Sequence, residues 1–317
     1  RYFYEVQVKL FFIILISLTL VFLLAGCDNN KKGTSIPETY SLTIDIIGDG
    51  TVTKTPDKES YEKNEKVTLK AVPAEWHNFA FWEGTYNLSK PETVIVMEKD
   101  THLKANFGRI YKLAYFNDNE GWPVEEDDIT KLALTDDGRY AITMKEENFI
   151  QRITMDIEVN NLYGEIELQF AKTDFYPGAG LVFNDTGTVF HFLEANHGGK
   201  YYIKKATIID TGSINVNTVS SGNIPDYKKG ELLKLAYSKK GSVYNLYING
   251  YYVDHIEIDD IEPAFQLLAI SGKEAPFTVY FDNLKILNLD PYLFTQKNIV
   301  PAAIKNIIEV SSEIVNK

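Results

Sequence analysis

The chain holds a single cysteine, Cys27, in 317 residues. It can therefore form no intrachain disulfide and no cysteine-built zinc site. Basic residues are in deficit: 32 Lys and Arg against 44 Asp and Glu leave a formal net charge of -12. Binding to nucleic acid calls for a basic surface, so nucleic acid is not an expected partner. The HExxH pair of a metalloprotease helix, the GxSxG nucleophile elbow and the phosphate-cradling glycine loop are all missing. What remains is ordinary for a folding chain: 44% hydrophobic and 24% charged residues. The 20 Tyr and 18 Phe favour strands over helices.

One long apolar run stands out. Residues 10–25 carry no charge, and Arg1 and Lys9 precede them with Glu5 between. A positive segment before an apolar one is the form of a secretory signal. The run ends in Leu24-Ala25-Gly26-Cys27, which resembles the lipobox of bacterial lipoproteins. The resemblance implies a lipoprotein signal peptide over residues 1–26, cleavage before Cys27, and acyl chains such as palmitate on that cysteine. One chain anchors weakly and two or more anchor stably, so no further membrane element is required. The competing reading is a plain transmembrane anchor, since the run is close to the minimum spanning length. Residues 27–38, polar and with Gly33 and Pro37, read as a tether. The expected location is the bacterial cell envelope, membrane-anchored and facing outward from the cytoplasm.

From residue 39 the pattern has period two. Tyr40, Leu42, Ile44 and Ile46 fall on one face of a strand, as do Val67, Leu69 and Ala71, then Thr93, Ile95 and Met97, then Leu103, Ala105 and Phe107. Gly48-Asp49-Gly50 marks a turn. Together with Tyr61 to Pro73 and Phe79-Ala80-Phe81-Trp82, these residues resemble the divergent internalin-type B repeat of bacterial surface proteins. The resemblance implies a small β-grasp-like domain over residues 39–107 that acts as a spacer or adhesive module without catalytic residues. Asn64 stands where that family commonly has Gly; Asn tolerates positive φ, so the turn survives. Trp82 reads as the core aromatic of a very small domain rather than a ligand platform. Trp76 and His77 fall in a turn and are candidate surface contacts.

Residues 108–290 carry about a dozen short β-rich runs separated by turn signals, with no crossover helix. That spacing predicts a β-sandwich. Asn249-Gly250, between Tyr244–Ile248 and Tyr251–Asp254, is the strongest hairpin signal in the chain. This hairpin and the closing Phe281-Asp282-Asn283-Leu284 resemble concanavalin A-like and laminin-G-like jelly rolls. Gly180 to Phe183 and Val189 to Phe192 resemble their glucanase-like branch, which includes keto-disaccharide hydrolase domains. Gly108 is a candidate hinge between the two modules. Residues 291–317 show near-helical spacing of Ile304, Ile307, Ile308 and Val315 and predict a short amphipathic C-terminal helix. The predicted fold is thus all-β, a small repeat followed by a jelly-roll sandwich and one terminal helix.

Candidate site residues are few. Jelly rolls of this group most often bind sugars, and sugars stack on exposed aromatics, so the exposed members of Tyr201, Tyr202, Tyr251 and Tyr252 are the first ligand-binding candidates. Glu165 and Glu167 share a strand face, as an acid pair would. The laminarinase-type pattern needs a further carboxylate, where this chain has Gln169 or Phe170. Asp282 and Asn283 either cap the last strand or supply oxygens to a structural Ca²⁺; no other cofactor is expected. His191 reads as a residue of an apolar face, and His197 and Asp174 as loop residues. The leading expectation is a non-catalytic surface lipoprotein, held to the membrane through Cys27, whose sandwich binds an extracellular glycan or a surface protein. The alternatives are a glycan-cleaving jelly roll and a structural envelope protein without a small ligand. Close carboxylates in a groove would favour the enzyme, and a filled sheet face the structural protein.

Overall fold

Apolar residues at every second position fold the chain from Thr39 into eight strands: β1 (Thr39–Tyr40), β2 (Leu42–Ile47), β3 (Gly50–Thr55), β4 (Tyr61–Glu62), β5 (Lys66–Pro73), β6 (His77–Gly84), β7 (Glu92–Val96) and β8 (Thr101–Ala114). The computed structural model describes residues 38–117, 121–210, 213–259, 263–273, 275–290 and 308–309. β8 lies between β2, which runs parallel to it, and β6, which is antiparallel. β3, β5 and β7 form a separate small sheet. The inward positions are those the alternation predicts: Val67, Leu69, Ala71, Ile95, Met97, Leu103, Ala105 and Phe107 are buried together around Trp82. The Trp82 indole is wholly buried and donates to the Lys90 carbonyl at 2.9 Å, so it is a core residue. Ile46 departs from its set and is 43% exposed. Asn64 adopts φ 66°, the left-handed turn its side chain tolerates.

Fourteen further strands follow up to residue 290: β9 (Glu125–Glu126), β10 (Thr130–Leu134), β11 (Tyr140–Met144), β12 (Phe149–Met155), β13 (Leu162–Phe170), β14 (Gly178–Asp185), β15 (Val189–Asn196), β16 (Lys200–Asp210), β17 (Ser213–Asn223), β18 (Leu233–Lys240), β19 (Val243–Ile248), β20 (Tyr251–Glu257), β21 (Pro263–Ile270) and β22 (Phe277–Asn288). Two sheets result. The larger runs β20-β19-β18-β13-β22-β11-β10-β9, and the smaller runs β17-β16-β15-β14-β21-β12. One continuous core fills the space between them, with Ile166, Leu168, Leu235, Leu246 and Val279 from the larger sheet meeting Leu181, Phe183, Leu193, Phe265 and Leu267 from the smaller. This is the sandwich the strand spacing predicts. Asn249 and Gly250 have φ 53° and 80°, the paired positive angles of a tight hairpin turn.

The join between the modules is not a flexible one. β8 runs unbroken through residues 107–111; its first half pairs with β2 and its second half with β22. Gly108 sits inside this strand, where a Cβ would lie 2.7 Å from Leu287 Cβ. Glycine is there for close strand approach rather than for hinging. The outer face of the larger sheet also receives the repeat. Ala80 and Phe81 from β6 are buried against Tyr163, Ala236, Tyr247 and Leu287. The Phe81 ring lies 6.2 Å from Tyr163 and 6.0 Å from Tyr247. Polar links surround this patch: Lys240 Nζ reaches Glu83 Oε2 at 2.9 Å and Asn106 Oδ1 at 2.8 Å, and the Ser89 N–H donates to the Gly250 carbonyl at 2.9 Å. Residues from Thr39 onward accordingly form one compact unit.

The predicted signal, tether and most of the predicted C-terminal helix lie outside the described residues. Two positions of that helix are described, and they are extended: β23 (Ile308–Glu309) pairs antiparallel with Ile150 and Phe149 on the edge of the smaller sheet. No helix among the described residues is long and apolar enough to cross a membrane.

Candidate functional site

The four candidate tyrosines do not share a surface, because adjacent strand residues point to opposite faces. Tyr201 faces inward, is 9% exposed and belongs to the sandwich core. Tyr202 lies on the outer face of the smaller sheet, with Lys204 Nζ 4.8 Å from its ring centroid. Tyr252 packs edge-on against Tyr247 at the contact with the repeat. Tyr251 lines an open cleft of about 510 Å³ with Thr68, Leu88 and Val94. One face of its ring is already covered by Lys90 Nζ at 3.6 Å, and its hydroxyl donates to Asp226 at 2.7 Å. The outer face of the smaller sheet is filled with apolar side chains: Ile150, Val182, Phe190, Phe192 and Leu268 are all buried.

The carboxylate pair is real but pinned. Glu165 and Glu167 project from one side of β13, and both reach Lys234 Nζ, at 3.4 and 3.1 Å. Glu165 also pairs with Lys285 at 3.1 Å and accepts the Tyr163 hydroxyl at 2.6 Å. Burial raises the Glu165 carboxyl, but Lys285, Lys234 and the Tyr163 hydroxyl outweigh it and hold the group below its ordinary value. It is therefore an anion, with no proton to donate near neutrality. Asp282 faces Glu167 across the strands, and burial followed by the Glu167 charge raises its carboxyl. Asn283 adopts φ 51°, donates its backbone N–H to Asp282 Oδ1 at 2.7 Å, and donates its side-chain amide to Glu167 at 2.6 Å. These two residues thus shape a bulge in the middle of β22 opposite Ile166 and do not cap its end. Among the described residues no three His, Cys, Asp or Glu side chains gather in a way that could hold a metal ion.

The same ladder of residues leads to a pocket at one end of the sandwich. Lys285 faces Glu165, Asp282 faces Glu167 and Tyr280 faces Gln169. Beyond them, loops 171–177, 197–199 and 224–232 leave their strands at one end and enclose about 590 Å³ lined by Arg139, Gln169, Phe170, Lys172, Asp174 and His197, together with Lys229 and Tyr280. Its floor is aromatic and fixed. His197 is 2% exposed, packs on Phe170 at 5.4 Å and bonds the Phe175 carbonyl at 3.1 Å. The Arg139 guanidinium lies 4.0 Å above the Tyr280 ring, held by Asp137 at 2.6 Å and Gln169 at 3.3 Å. Gln169 in turn donates to the Gly230 carbonyl at 3.0 Å, and the Tyr227 hydroxyl accepts the Gly230 N–H at 3.2 Å. The loop that supplies Lys172 and Asp174 continues into two exposed aromatics, Phe175 at 43% and Tyr176 at 55%, and Lys229 Nζ stands 5.0 Å from the Tyr176 ring.

Asp174 and His197 lie on loops, as expected from the sequence, and His197 is buried there. Sequence reasoning missed the pocket because Arg139, Lys172 and Lys229 are far apart in the chain and form no motif. The one legible signal is that Asp174-Phe175-Tyr176 puts two aromatics in a polar loop.

Comparison with known proteins agrees with the module reading of the first part. Residues 40–111 match the family described as the divergent InlB B-repeat domain. No curated protein matches the chain. Among solved structures, the chain is similar to a carbohydrate-binding module, CBM66 from Bacillus subtilis, at 12% identity and a TM-score of 0.40, over 53% of this chain and 96% of that one. It is similar to the Crh5 transglycosylase in complex with NAG at 13% identity and a TM-score of 0.44, over 59% of this chain and 88% of that one. A Bacillus licheniformis β-glucanase gives 12% identity and a TM-score of 0.39, over 56% of this chain and 97% of that one. The segment that matches the divergent B-repeat model, Tyr40 to Tyr111, is continuous in sequence and in hydrogen bonding with the sandwich that follows it.

Proposed function

We propose that the chain is a lipid-anchored protein of the bacterial cell envelope that binds an extracellular glycan at the end pocket of its sandwich and does not cleave it. The observation that carries the reading is the pocket itself. It sets the aromatic side chains Phe170 and Tyr280 beside the polar Gln169, Asp174 and Lys229, with the exposed rings of Phe175 and Tyr176 on the adjoining loop, the pairing by which a sugar's C–H face and its hydroxyls are both satisfied. The repeat, rigidly joined through β8, acts as a stand that keeps the pocket at a fixed orientation above the tether. Anchorage through Cys27 rests on the Leu24-Ala25-Gly26-Cys27 motif. The non-catalytic part rests on Glu165, an anion held by two lysines where a retaining glycosidase needs one carboxyl to carry a proton. The test is binding of an oligosaccharide panel by the intact protein and by Tyr176→Ala. A stacked ring contributes about 1 kcal/mol, so binding falls roughly fivefold in the variant. Undiminished binding there removes the end pocket from the proposal.

A second reading, a glycan-cleaving enzyme, is favoured by one observation. Asp282, with its raised carboxyl, faces Glu167 across the strands beside the pocket. Reducing-sugar release that disappears in Asp282→Asn would promote it. The filled outer face of the smaller sheet is the feature in favour of a structural envelope protein. In the leading reading it means that the ligand sits at the end of the sandwich rather than across that sheet.

A further inference from the structure

We infer that the ligand of the end pocket is an acidic glycan, with its carboxylate or sulfate groups met by Lys172 and Lys229; the inference rests on the glycan-binding reading above. Over the whole chain acids outnumber bases 44 to 32, yet the pocket is lined by Arg139, Lys172 and Lys229 against a single carboxylate, Asp174. Arg139 is already engaged by Asp137 and serves as a wall. The two lysines are not so engaged. Several lysines elsewhere are held by acids: Lys54 by Asp57, Lys145 by Glu126, Lys204 by Glu194, Lys240 by Glu83. Even Lys228, the neighbour of Lys229, turns toward Glu231 at 3.8 Å. Among the described residues Lys172 and Lys229 have no carboxylate within ion-pairing distance, and they come from two different loops to line one cavity. Lys229 stands over the exposed ring of Tyr176. A saccharide lying in the cavity would present a carboxylate or sulfate to both ammonium groups. Two like charges lining one cavity, neither ion-paired with its one carboxylate, are mutually repulsive, and an anionic ligand relieves that repulsion.

The experiment is isothermal titration calorimetry of the full-length protein in neutral detergent with paired probes. Hexagalacturonate is compared with the same oligomer after its carboxyls are reduced to hydroxymethyl groups. A sulfated galactan oligomer is compared with its desulfated form, and the two pairs distinguish the carboxylate from the sulfate source. A single-stranded deoxyoligonucleotide of matched charge is the control for indiscriminate polyanion binding. At least one charged saccharide should bind about tenfold or more tighter than its neutral counterpart. That advantage should collapse between about 0.05 and 0.5 M NaCl, as the screening length falls to a few Å. Replacing both Lys172→Gln and Lys229→Gln should remove about tenfold of it, roughly threefold for each exposed charge. Affinity for the neutral counterpart should not change in that variant, which also shows that it is folded. Equal binding of charged and neutral oligomers overturns this inference and leaves glycan binding standing. An unchanged advantage in the double variant overturns it also, as does equally tight binding of the oligonucleotide. If no saccharide of either kind binds, the glycan-binding reading falls and this inference falls with it.

Discussion

The contact between repeat and sandwich makes a sharp prediction about Phe81. Its ring is 1% exposed and lies between Tyr163 and Tyr247, on the far side of a module boundary from most of its own chain neighbours. Removing it as Phe81→Ala leaves a cavity that two strands of the larger sheet and β6 cannot close, because all three backbones are fixed in ladders. Buried Phe-to-Ala changes cost about 3–5 kcal/mol. With a denaturant slope of about 3 kcal/mol/M in urea, the midpoint should fall by about 1 M or slightly more.

The form of the transition is the more telling readout. β8 serves both modules and Phe81 lies between them, so one cooperative transition is expected in calorimetry, displaced as a whole to lower temperature by the substitution. Two modules joined only by a linker would instead unfold in two steps, and the substitution would move one step alone. A loss below about 1 kcal/mol, or a sandwich transition that does not move, refutes the argument that the repeat is braced against the larger sheet.

Other consequences follow from individual sites. Glu165 is held below its ordinary value in the folded state, so its pairing stabilises the fold above the unfolded value of about 4.5 and is lost as pH falls through the folded value. Wild type should therefore exceed Glu165→Gln by about 3 kcal/mol at pH 7, and the gap should narrow below about pH 4.5 in denaturant titrations. Gly108→Ala places a Cβ 2.7 Å from that of Leu287 and should destabilise the protein by about 1–3 kcal/mol, the cost of overpacking, where a true hinge would tolerate alanine. Cys27→Ser should abolish labelled-lipid incorporation and leave an unprocessed precursor; persistent labelling would remove the anchor from the proposal.

What the sequence revealed and what it hid divide along a physical line. Period-two alternation is a local property, and it located the repeat core from Val67 through Phe107 almost residue by residue. The Asn249-Gly250 turn was equally legible, because only a few residue types accept two positive φ angles in succession. Where the alternation was weak, strands went unread: β17 is Ser, Asn and Thr on much of its exposed side and gives little apolar rhythm. Gly108 was misjudged because glycine has two opposite uses, freedom and close approach, and only the position of Leu287 decides between them. The first tyrosine pair was readable as alternating, Tyr201 in and Tyr202 out, whereas neither Tyr251 nor Tyr252 belongs to the sandwich core. The sequence could not say that the outward rings would go to different surfaces, since that depends on which sheet each strand joins.

The pocket was hidden for the most instructive reason. Its floor belongs to strands whose faces alternation does predict, so Gln169 and Tyr280 are outward residues by simple counting from Leu168 and Val279. Its lysines come from loops, where no periodicity exists and where sequence distance says nothing about spatial distance. The sandwich supplies the missing information by topology. The β13-to-β14, β15-to-β16 and β17-to-β18 connections open at the same end, and the β10-to-β11 turn brings Arg139 beside them. The pocket is therefore a product of strand direction. Any antiparallel sandwich with these connections would gather the same loops, and what is particular to this chain is the charge it puts there. Lys172 and Lys229 contribute nothing visible to the fold. In a chain of net charge -12, a cavity lined by Lys172, Lys229 and Arg139 against one carboxylate is a local reversal of sign, and that reversal is what the acidic-glycan inference puts to the test.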